Sequence, residues 1–280
     1  MYISIDLGRS TTRIASTLDL KNIFKIVKFP TDNNINTQKK NMSEAVISVS
    51  NLDKIDAVAF GFPGISSKIK NKIEKSANYP QIEGMDFSSF LPEKARDAKI
   101  IVENDAALGA LGEAYFGSGK NNKVIAYLTL STGVGGARVV KGKDENDYEL
   151  INSEPGHQVI EKTDDIEDGS GIRGTLESFC SGSYFKQRYG VNPDKTAGKE
   201  VWKKYAFYLS AGILNVIAMW DPEVIILGGG LAIYNFDSFY PFLTKELEKQ
   251  NFFEIPKIKK TLMEDDSGIY GGFILLERNL

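Results

Sequence analysis

One pattern occurs twice in this chain, and it restricts the fold more than any other feature. "YISIDLGRSTTRIAST" (2–17) and "KVIAYLTLSTGVGGARVV" (123–140) each read as an apolar strand, a turn rich in Gly, Ser and Thr, and a second strand. Alternating apolar residues around such a turn predict a β-hairpin. After the first hairpin, "IFKIVKFP" (23–30) predicts a third strand and 38–51 a helix. "IDAVAFGFPG" (55–64) and "AKIIVEND" (98–105) predict buried strands, and 106–116 a helix with small residues on its packed face. After the second hairpin come helices near 177–188 and 197–220, the strand "EVIILGGG" (223–230), and helices at 237–251 and 268–278. Two series that open alike predict two similar α/β domains facing one another. The expected division is 1–105 plus 268–280 against 106–267, and 280 residues are enough for both. The charged stretch 68–82 reads as a surface hairpin. The polar, aperiodic stretch 141–172 reads as a long functional loop.

Charge and cysteine content narrow the classes. Lys and Arg number 34 against 37 Asp and Glu, a net charge of −3. That balance argues against a chain built to hold nucleic acid or an anionic membrane. Cys180 is the one cysteine, so no disulfide closes within the chain. The first residues run straight into a strand pattern, and no apolar run approaches the roughly 20 residues of a membrane span. The expectation is a cytoplasmic protein that binds small molecules.

Three glycine-rich turns follow apolar strands: "DLGRSTTR" (6–13), "LSTGVGGAR" (130–138) and "ILGGG" (226–230). Glycine lets backbone N–H groups approach an anion, and Ser or Thr hydroxyls add donors. Gly8, Ser10, Thr11, Thr12, Thr132, Gly133, Gly228, Gly229 and Gly230 are therefore candidate phosphate-binding residues. Asp6, at a strand end, is placed to hold Mg²⁺ through water. Arg13 either offsets phosphate charge or is a surface strand residue. Any one of these turns can be only a turn; three together point to a phosphate ligand. Two familiar alternatives fail. "GSGKNN" (117–122) has Ala114 where a P-loop needs its first glycine, and Asn121 where it needs Ser or Thr. "GVGGAR" lacks the third small residue of a dinucleotide fingerprint and lies in a hairpin.

"VENDAALGALGE" (102–113) puts Glu103, Asn104 and Asp105 where a strand hands over to a helix. By residue chemistry alone, Asp105 is either a helix N-cap or a functional carboxylate.

Taken in order, these segments resemble the ROK family of sugar kinases and sugar-responsive repressors, within the actin-like ATPase superfamily. "DLGRSTTR" resembles its first phosphate motif, "GFPG" (61–64) its Gly-x-Pro-Gly, and "VENDAALGALGE" its Asn-Asp helix segment. "TLSTGVGGARVVKGK" (129–143) resembles the second phosphate motif, "EPGH" (154–157) Glu-x-Gly-His, "DPEVIILGGGLA" (221–232) the adenosine motif, and "DDSGIYGGFILL" (265–276) the closing helix. The resemblance implies two actin-like (ribonuclease H-like) α/β domains flanking a deep cleft. It implies an ATP-dependent hexose kinase using Mg²⁺, acting most directly on O6 of glucose. Fructose, mannose or an N-acetylhexosamine are alternative acceptors, and a catalytically inactive sugar-binding regulator is a second alternative. In the implied site Asp105 accepts the proton of the attacking hydroxyl and Asn104 binds a neighbouring one. Glu154, His157 and Glu177 contact sugar hydroxyls, Gly64 brings backbone close to the sugar, and Asn78 aligns loosely with a sugar-side asparagine. A homodimer is expected from the same resemblance.

The chain departs from the family pattern in several places, among them Ser131 where a glycine is common and the glycine-poor stretch before Glu154. Many members carry a zinc site of this histidine and three cysteines; here "DGSGIRGTLE" (168–177) puts Asp168, Ser170 and Thr175 at the cysteine positions. An oxygen set matches zinc poorly, so no structural zinc is expected, and Asp168 is expected to bind a His157 ring nitrogen instead. Arg9 replaces the second glycine of the first phosphate turn, altering the turn or adding a cation near phosphate.

Overall fold

Both glycine-turn hairpins form, and each supplies the antiparallel part of a five-stranded sheet. The computed structural model of the protein describes residues 1–51, 53–144, 147–194 and 197–280. In chain order it begins with β1 (Tyr2–Leu7), β2 (Thr11–Thr17), β3 (Lys25–Pro30), α1 (Ile35–Ser50) and β4 (Ala57–Phe62). The short β5 (Ile65–Ser66) and β6 (Ile73–Lys75) follow, then β7 (Lys99–Asn104) and α2 (Asp105–Tyr115). The second series is β8 (Val124–Leu130), β9 (Val134–Lys141), β10 (Tyr148–Ser153), α3 (Leu176–Cys180), α4 (Gly182–Tyr189) and α5 (Lys199–Trp220). It ends with β11 (Val224–Gly228), α6 (Gly229–Leu247) and β12 (Lys257–Lys260), and α7 (Ser267–Asn279) closes the chain.

The two sheets have one topology. The first runs β3-β2-β1-β4-β7 and the second β10-β9-β8-β11-β12. In each, the three strands of the opening meander are antiparallel, and two later strands add in parallel on the other side. The central strands β1, β4 and β11 are buried almost throughout because helices cover them, as parallel strands require. Ile3, Ile5, Phe60 and Val102 pack with Met42 and Val46 of α1 in the first core. Leu128, Ile225, Tyr205, Trp202 and Phe239 belong to the second.

Two compact units result: Met1–Tyr115 with Asp144–Asp147 and Asp266–Leu280, and Phe116–Lys143 with Tyr148–Asp265. The division expected from sequence put the helix after Asp105 in the second unit, whereas α2 packs in the first. The reason is its contact with α7. A Cβ on Gly112 would lie 2.0 Å from the Ser267 carbonyl oxygen, and one on Gly271 1.8 Å from that of Leu108. The two backbones touch, which only glycine permits.

Other differences have local causes. α1 starts at Ile35 because the Asn34 side chain caps it, accepting from the N–H groups of Asn36 and Thr37. The surface hairpin spans β5 and β6, and a 3₁₀ turn (Pro80–Ile82) follows it. The region expected as a long loop contains β10, the edge strand paired to β9. The helix expected near 177–188 is two, parted at Ser181. The helix expected from 237 begins at Gly229, directly after β11. Its glycines hide the start from a propensity reading, but Leu231, Ala232, Phe236 and Phe239 bury one continuous face. Cys180 is buried at the end of α3. No helix of the described residues is long and apolar enough to cross a membrane.

Candidate active site

The first unit carries the turn between β1 and β2. The Gly8 N–H donates to the Thr11 carbonyl at 3.1 Å, closing a tight turn on Arg9 and Ser10. Ser10 is exposed, and Thr11 and Arg13 are half-buried. Asp6, at the end of β1, is 8% exposed and sits 3.4 Å from Arg13 Nη1. Gly268 leaves it room: a Cβ there would come 2.9 Å from the Asp6 carboxyl carbon. Arg13 therefore pairs with Asp6 rather than lying loose on the surface. Thr12 differs from its expected role. It is fully buried, and its hydroxyl bonds Gln38 and Thr31 behind the turn. Arg9 lies with its guanidinium 5.4 Å from the centre of the Tyr79 ring, so the residue that replaces a glycine is stacked on an aromatic face.

The same unit holds the Asn-Asp pair. Asn104 ends β7, and its Oδ1 accepts from the N–H groups of Ala106 (2.9 Å) and Ala107 (3.2 Å). Asn104, not Asp105, is thus the side chain that caps α2. Its Nδ2 donates to the Gly64 carbonyl at 3.2 Å. Gly64 has φ +146°, and a Cβ there would meet the Lys75 carbonyl oxygen at 2.1 Å, so this position requires glycine. Asp105 occupies the first turn of α2, half-buried, with Oδ1 2.9 Å from the Ala106 N–H. Asn78 is half-buried in the bend before Tyr79. The structure thus ties Asn104, Asp105 and Gly64 together, with Asn78 on the segment that follows β6.

In the second unit, Glu154, His157 and Glu177 surround the start of β9. Glu177 is buried and accepts from the Val134 N–H at 2.9 Å, joining α3 to the Thr132–Gly133 turn. His157 ends a 3₁₀ turn, and its Nδ1 is 2.6 Å from Asp168 Oδ2. Asp168 Oδ1 accepts from the Ser170 N–H (2.8 Å), the Ser170 hydroxyl (2.6 Å) and the Ile172 N–H (3.2 Å). The loop 158–175 is further held by a two-pronged ion pair of Arg188 with Asp164, at 2.6 and 2.7 Å.

Charge states follow from these contacts. Burial would pull the His157 pKa down, but the Asp168 hydrogen bond and charge, with Glu177 and Glu154 beyond, outweigh it and raise the pKa. Burial would raise Asp168, but hydrogen bonds from Ser170, His157 and Thr175 hold it below the usual carboxylate range. Glu154 keeps contact with solvent, yet the protein around its carboxylate pushes its pKa up. Glu177 adds to that and His157 opposes it.

A cavity of about 420 Å³ opens beside the Ser131–Thr132 turn. One wall is Gly230, Leu231, Tyr234 and Asn235 of α6; Gly182 and Ser183, at the start of α4, form another. The Gly182 and Ser183 N–H groups donate to the carbonyls of Ser131 (2.6 Å) and Thr132 (3.2 Å), which fixes the turn. The three glycines at the junction of β11 and α6 divide by role. A Cβ on Gly228 would strike the Tyr127 hydroxyl at 2.3 Å, and Gly229 has φ +80° with a Cβ position 2.6 Å from the Leu130 carbonyl. Gly230 alone of the three lines the cavity, with nothing nearer its Cβ position than Tyr234 at 3.9 Å. Tyr234, Asn235 and Ser183 were not legible as site residues, because only the early start of α6 and the break at Ser181 bring them there.

Two metals can be weighed by donor chemistry. Asp6 offers the hard carboxylate oxygen that a hydrated Mg²⁺ takes, and it fits. His157, Asp168 and Glu177 bring one ligand atom each within 4.8 Å of one another. That set has no thiolate, and both Asp168 oxygens already accept hydrogen bonds. It does not fit a thiolate-built zinc site.

Known proteins share the chain's family and fold. A model described as the ROK family matches residues 2–279. The chain is similar to the glucokinase of Thermotoga maritima, 24% identical over 99% of this chain and 98% of that one. It is similar to the N-acetyl-D-glucosamine kinase of Aliivibrio fischeri, 27% identical over 98% and 99%. Its fold is like that of a ROK family glucokinase from Streptomyces griseus solved in complex with glucose and AMPPNP, with a TM-score of 0.81, 20% identity and 98% of each chain covered.

Proposed function

The chain belongs to the ROK family, and from that premise we propose that it is an ATP-dependent hexose kinase. It transfers the γ-phosphate of ATP to a sugar hydroxyl, most directly O6 of glucose. The observation that carries this reading is the division of labour at the head of α2. Asn104 takes the capping role, so Asp105 is not required as the cap. In this reading the Asp105 carboxylate takes the proton as the hydroxyl oxygen bonds to phosphorus and ADP departs. General-base help of that kind is typically worth about 10²–10⁴-fold. Asn104 Nδ2, already donating once to Gly64, has a second hydrogen for a neighbouring hydroxyl. Glu154 and His157 bind other hydroxyls, His157 with its ring set by Asp168.

The nucleotide half rests on the glycine turns. The Gly8–Arg13 hairpin and the Thr132–Gly133 turn meet the phosphates through backbone N–H groups, and the cavity beside Gly230 takes the adenosine. Mg²⁺, held through water by Asp6, would neutralise charge on the phosphates. No zinc is part of this reading.

An N-acetylhexosamine is the second acceptor to test, because a kinase named for N-acetyl-D-glucosamine is as similar to the chain as the glucokinases are. We propose a homodimer as the working form. The deciding experiment is coupled ADP release with ATP and Mg²⁺ over a panel of glucose, mannose, fructose and N-acetylated hexosamines. Release that depends on one of these sugars supports the reading. Sugar binding without any ADP would leave a sugar-binding regulator.

A further inference from the structure

Gln38 of α1 is fully buried behind the hairpin that carries Gly8 to Arg13. A buried amide has to satisfy its polar atoms, and its neighbours allow one orientation. The Asp32 N–H can only donate, so the Gln38 atom 2.9 Å from it is Oε1. Nε2 then donates to Thr12 Oγ1 at 2.8 Å. At the far end the Gly8 carbonyl can only accept, so the Thr31 hydroxyl gives its proton there, at 2.7 Å. The Thr12–Thr31 contact of 2.8 Å therefore has Thr12 as its donor. The bonds run one way, from the Gln38 amide through Thr12 and Thr31 to the Gly8 carbonyl, and each polarises the next. The Asp32 carbonyl is held in turn by the Tyr79 hydroxyl.

Thr31 acts on the turn twice. Its hydroxyl holds the Gly8 carbonyl, and its N–H donates to the Ser10 carbonyl at 3.1 Å. In a planar trans peptide the C=O and the next N–H point in opposite directions. Drawing both carbonyls onto Thr31 turns the N–H groups of Arg9 and Thr11 away from it. Two backbone N–H groups turned to the same side of a tight turn offer donors to an anion.

We propose that Thr31 and Gln38 are positioning residues for the phosphoryl donor, setting from behind the direction of the Arg9 and Thr11 N–H groups that meet its phosphates. The proposal rests on the kinase reading of the same hairpin. Both act through the backbone of the turn, whereas Asn104 on the sugar side bonds Gly64, Ala106 and Ala107.

The test is calorimetric binding of AMPPNP with Mg²⁺, and separately of the preferred hexose, to the full chain. Thr31→Val keeps the side-chain shape and deletes the hydroxyl. It should weaken AMPPNP binding about 5- to 10-fold, the effect of losing one hydrogen bond's worth of order, and leave sugar affinity within about twofold. Thr31→Ser restores the hydroxyl and should restore nucleotide affinity. Gln38→Met, of similar length with no donor, should act like Thr31→Val, which covers the case that one variant folds poorly. A merely structural role would lower the melting temperature and the active fraction without separating the two affinities. Unchanged AMPPNP binding in both variants, or an equal loss for sugar, overturns the proposal while the kinase reading stands. Wild-type protein that binds no AMPPNP brings down both.

Discussion

His157 Nδ1 lies 2.6 Å from Asp168 Oδ2, and the Asp168 side chain is fully enclosed. The contact stands where the family frame carries metal-binding cysteines. It does by a charged hydrogen bond what a metal does elsewhere: it fixes which ring nitrogen faces the loop and ties residues 158–175 to the 3₁₀ turn ending at His157.

The pair predicts a pH profile of stability. His157 is raised above its ordinary 6.5, so its contribution is complete below that value and fades as pH rises through the folded pKa. Asp168 is lowered below its ordinary 3.8, so its contribution is complete above that value and fades as pH falls through the folded pKa. Both are present between about pH 4 and 6.5. Asp168→Asn should cost on the order of 1–3 kcal/mol in that window and flatten both limbs of the profile. Thermal melts from pH 3 to 9 check it; matching curves for variant and wild type would remove the pair as a stabilising contact.

Metal analysis makes the second prediction. With nitrogen and oxygen donors only, and Asp168 already engaged, the purified protein should carry far less than one zinc per chain. A zinc-selective chelator should leave both the melting temperature and the activity with excess Mg²⁺ unchanged. Stoichiometric zinc in the purified protein would refute this.

The glycines at the head of α6 make the third. Gly230→Ala adds a methyl group with open space around it in a helical position, so the fold should hold or gain a few tenths of a kcal/mol, up to about 1. Gly230 lines the cavity proposed for adenosine, so KM for ATP should rise several-fold. Gly229→Ala must adopt φ +80° and press against the Leu130 carbonyl. It should destabilise by roughly 1–3 kcal/mol before any effect on ATP appears. Melting temperature and KM for ATP, measured on both variants, separate the two; equal effects would mean that Gly230 does not face the ligand.

What sequence made legible, and what it hid, divides by range. The hairpins β1–β2 and β8–β9 were plain because their apolar alternation and turn chemistry are local. The position of Asn104 and Asp105 between β7 and α2 was plain for the same reason. The start of α6 was hidden because Gly228 to Gly230 lack helix propensity, and burial of Leu231 and Phe236 overrides that. The boundary at α2 was hidden because its contact with α7 joins residues more than 150 positions apart. Thr12 looked like a ligand-facing hydroxyl in "DLGRSTTR", but strand alternation points it inward to Gln38, a partner no spacing announces. Asp168 could be expected to meet His157 only because the family frame places them together.

The fourth prediction concerns Asp105. Were it the cap of α2, Asp105→Asn would keep that role, since asparagine caps as well as aspartate, and turnover would survive. Asn104 holds the cap instead, with two backbone N–H groups on its Oδ1, so the variant should fold and melt like wild type. Sugar affinity should change little, because an amide at 105 can still hydrogen-bond a hydroxyl. What the amide cannot do is take up the hydroxyl's proton, and kcat should fall by about 10²-fold or more. The converse variant, Asn104→Ala, removes the cap and should destabilise by about 1 kcal/mol while raising KM for sugar. Measuring kcat, KM and melting temperature for both places proton transfer and capping on different residues. Asp105→Asn with wild-type kcat would assign the proton to another base.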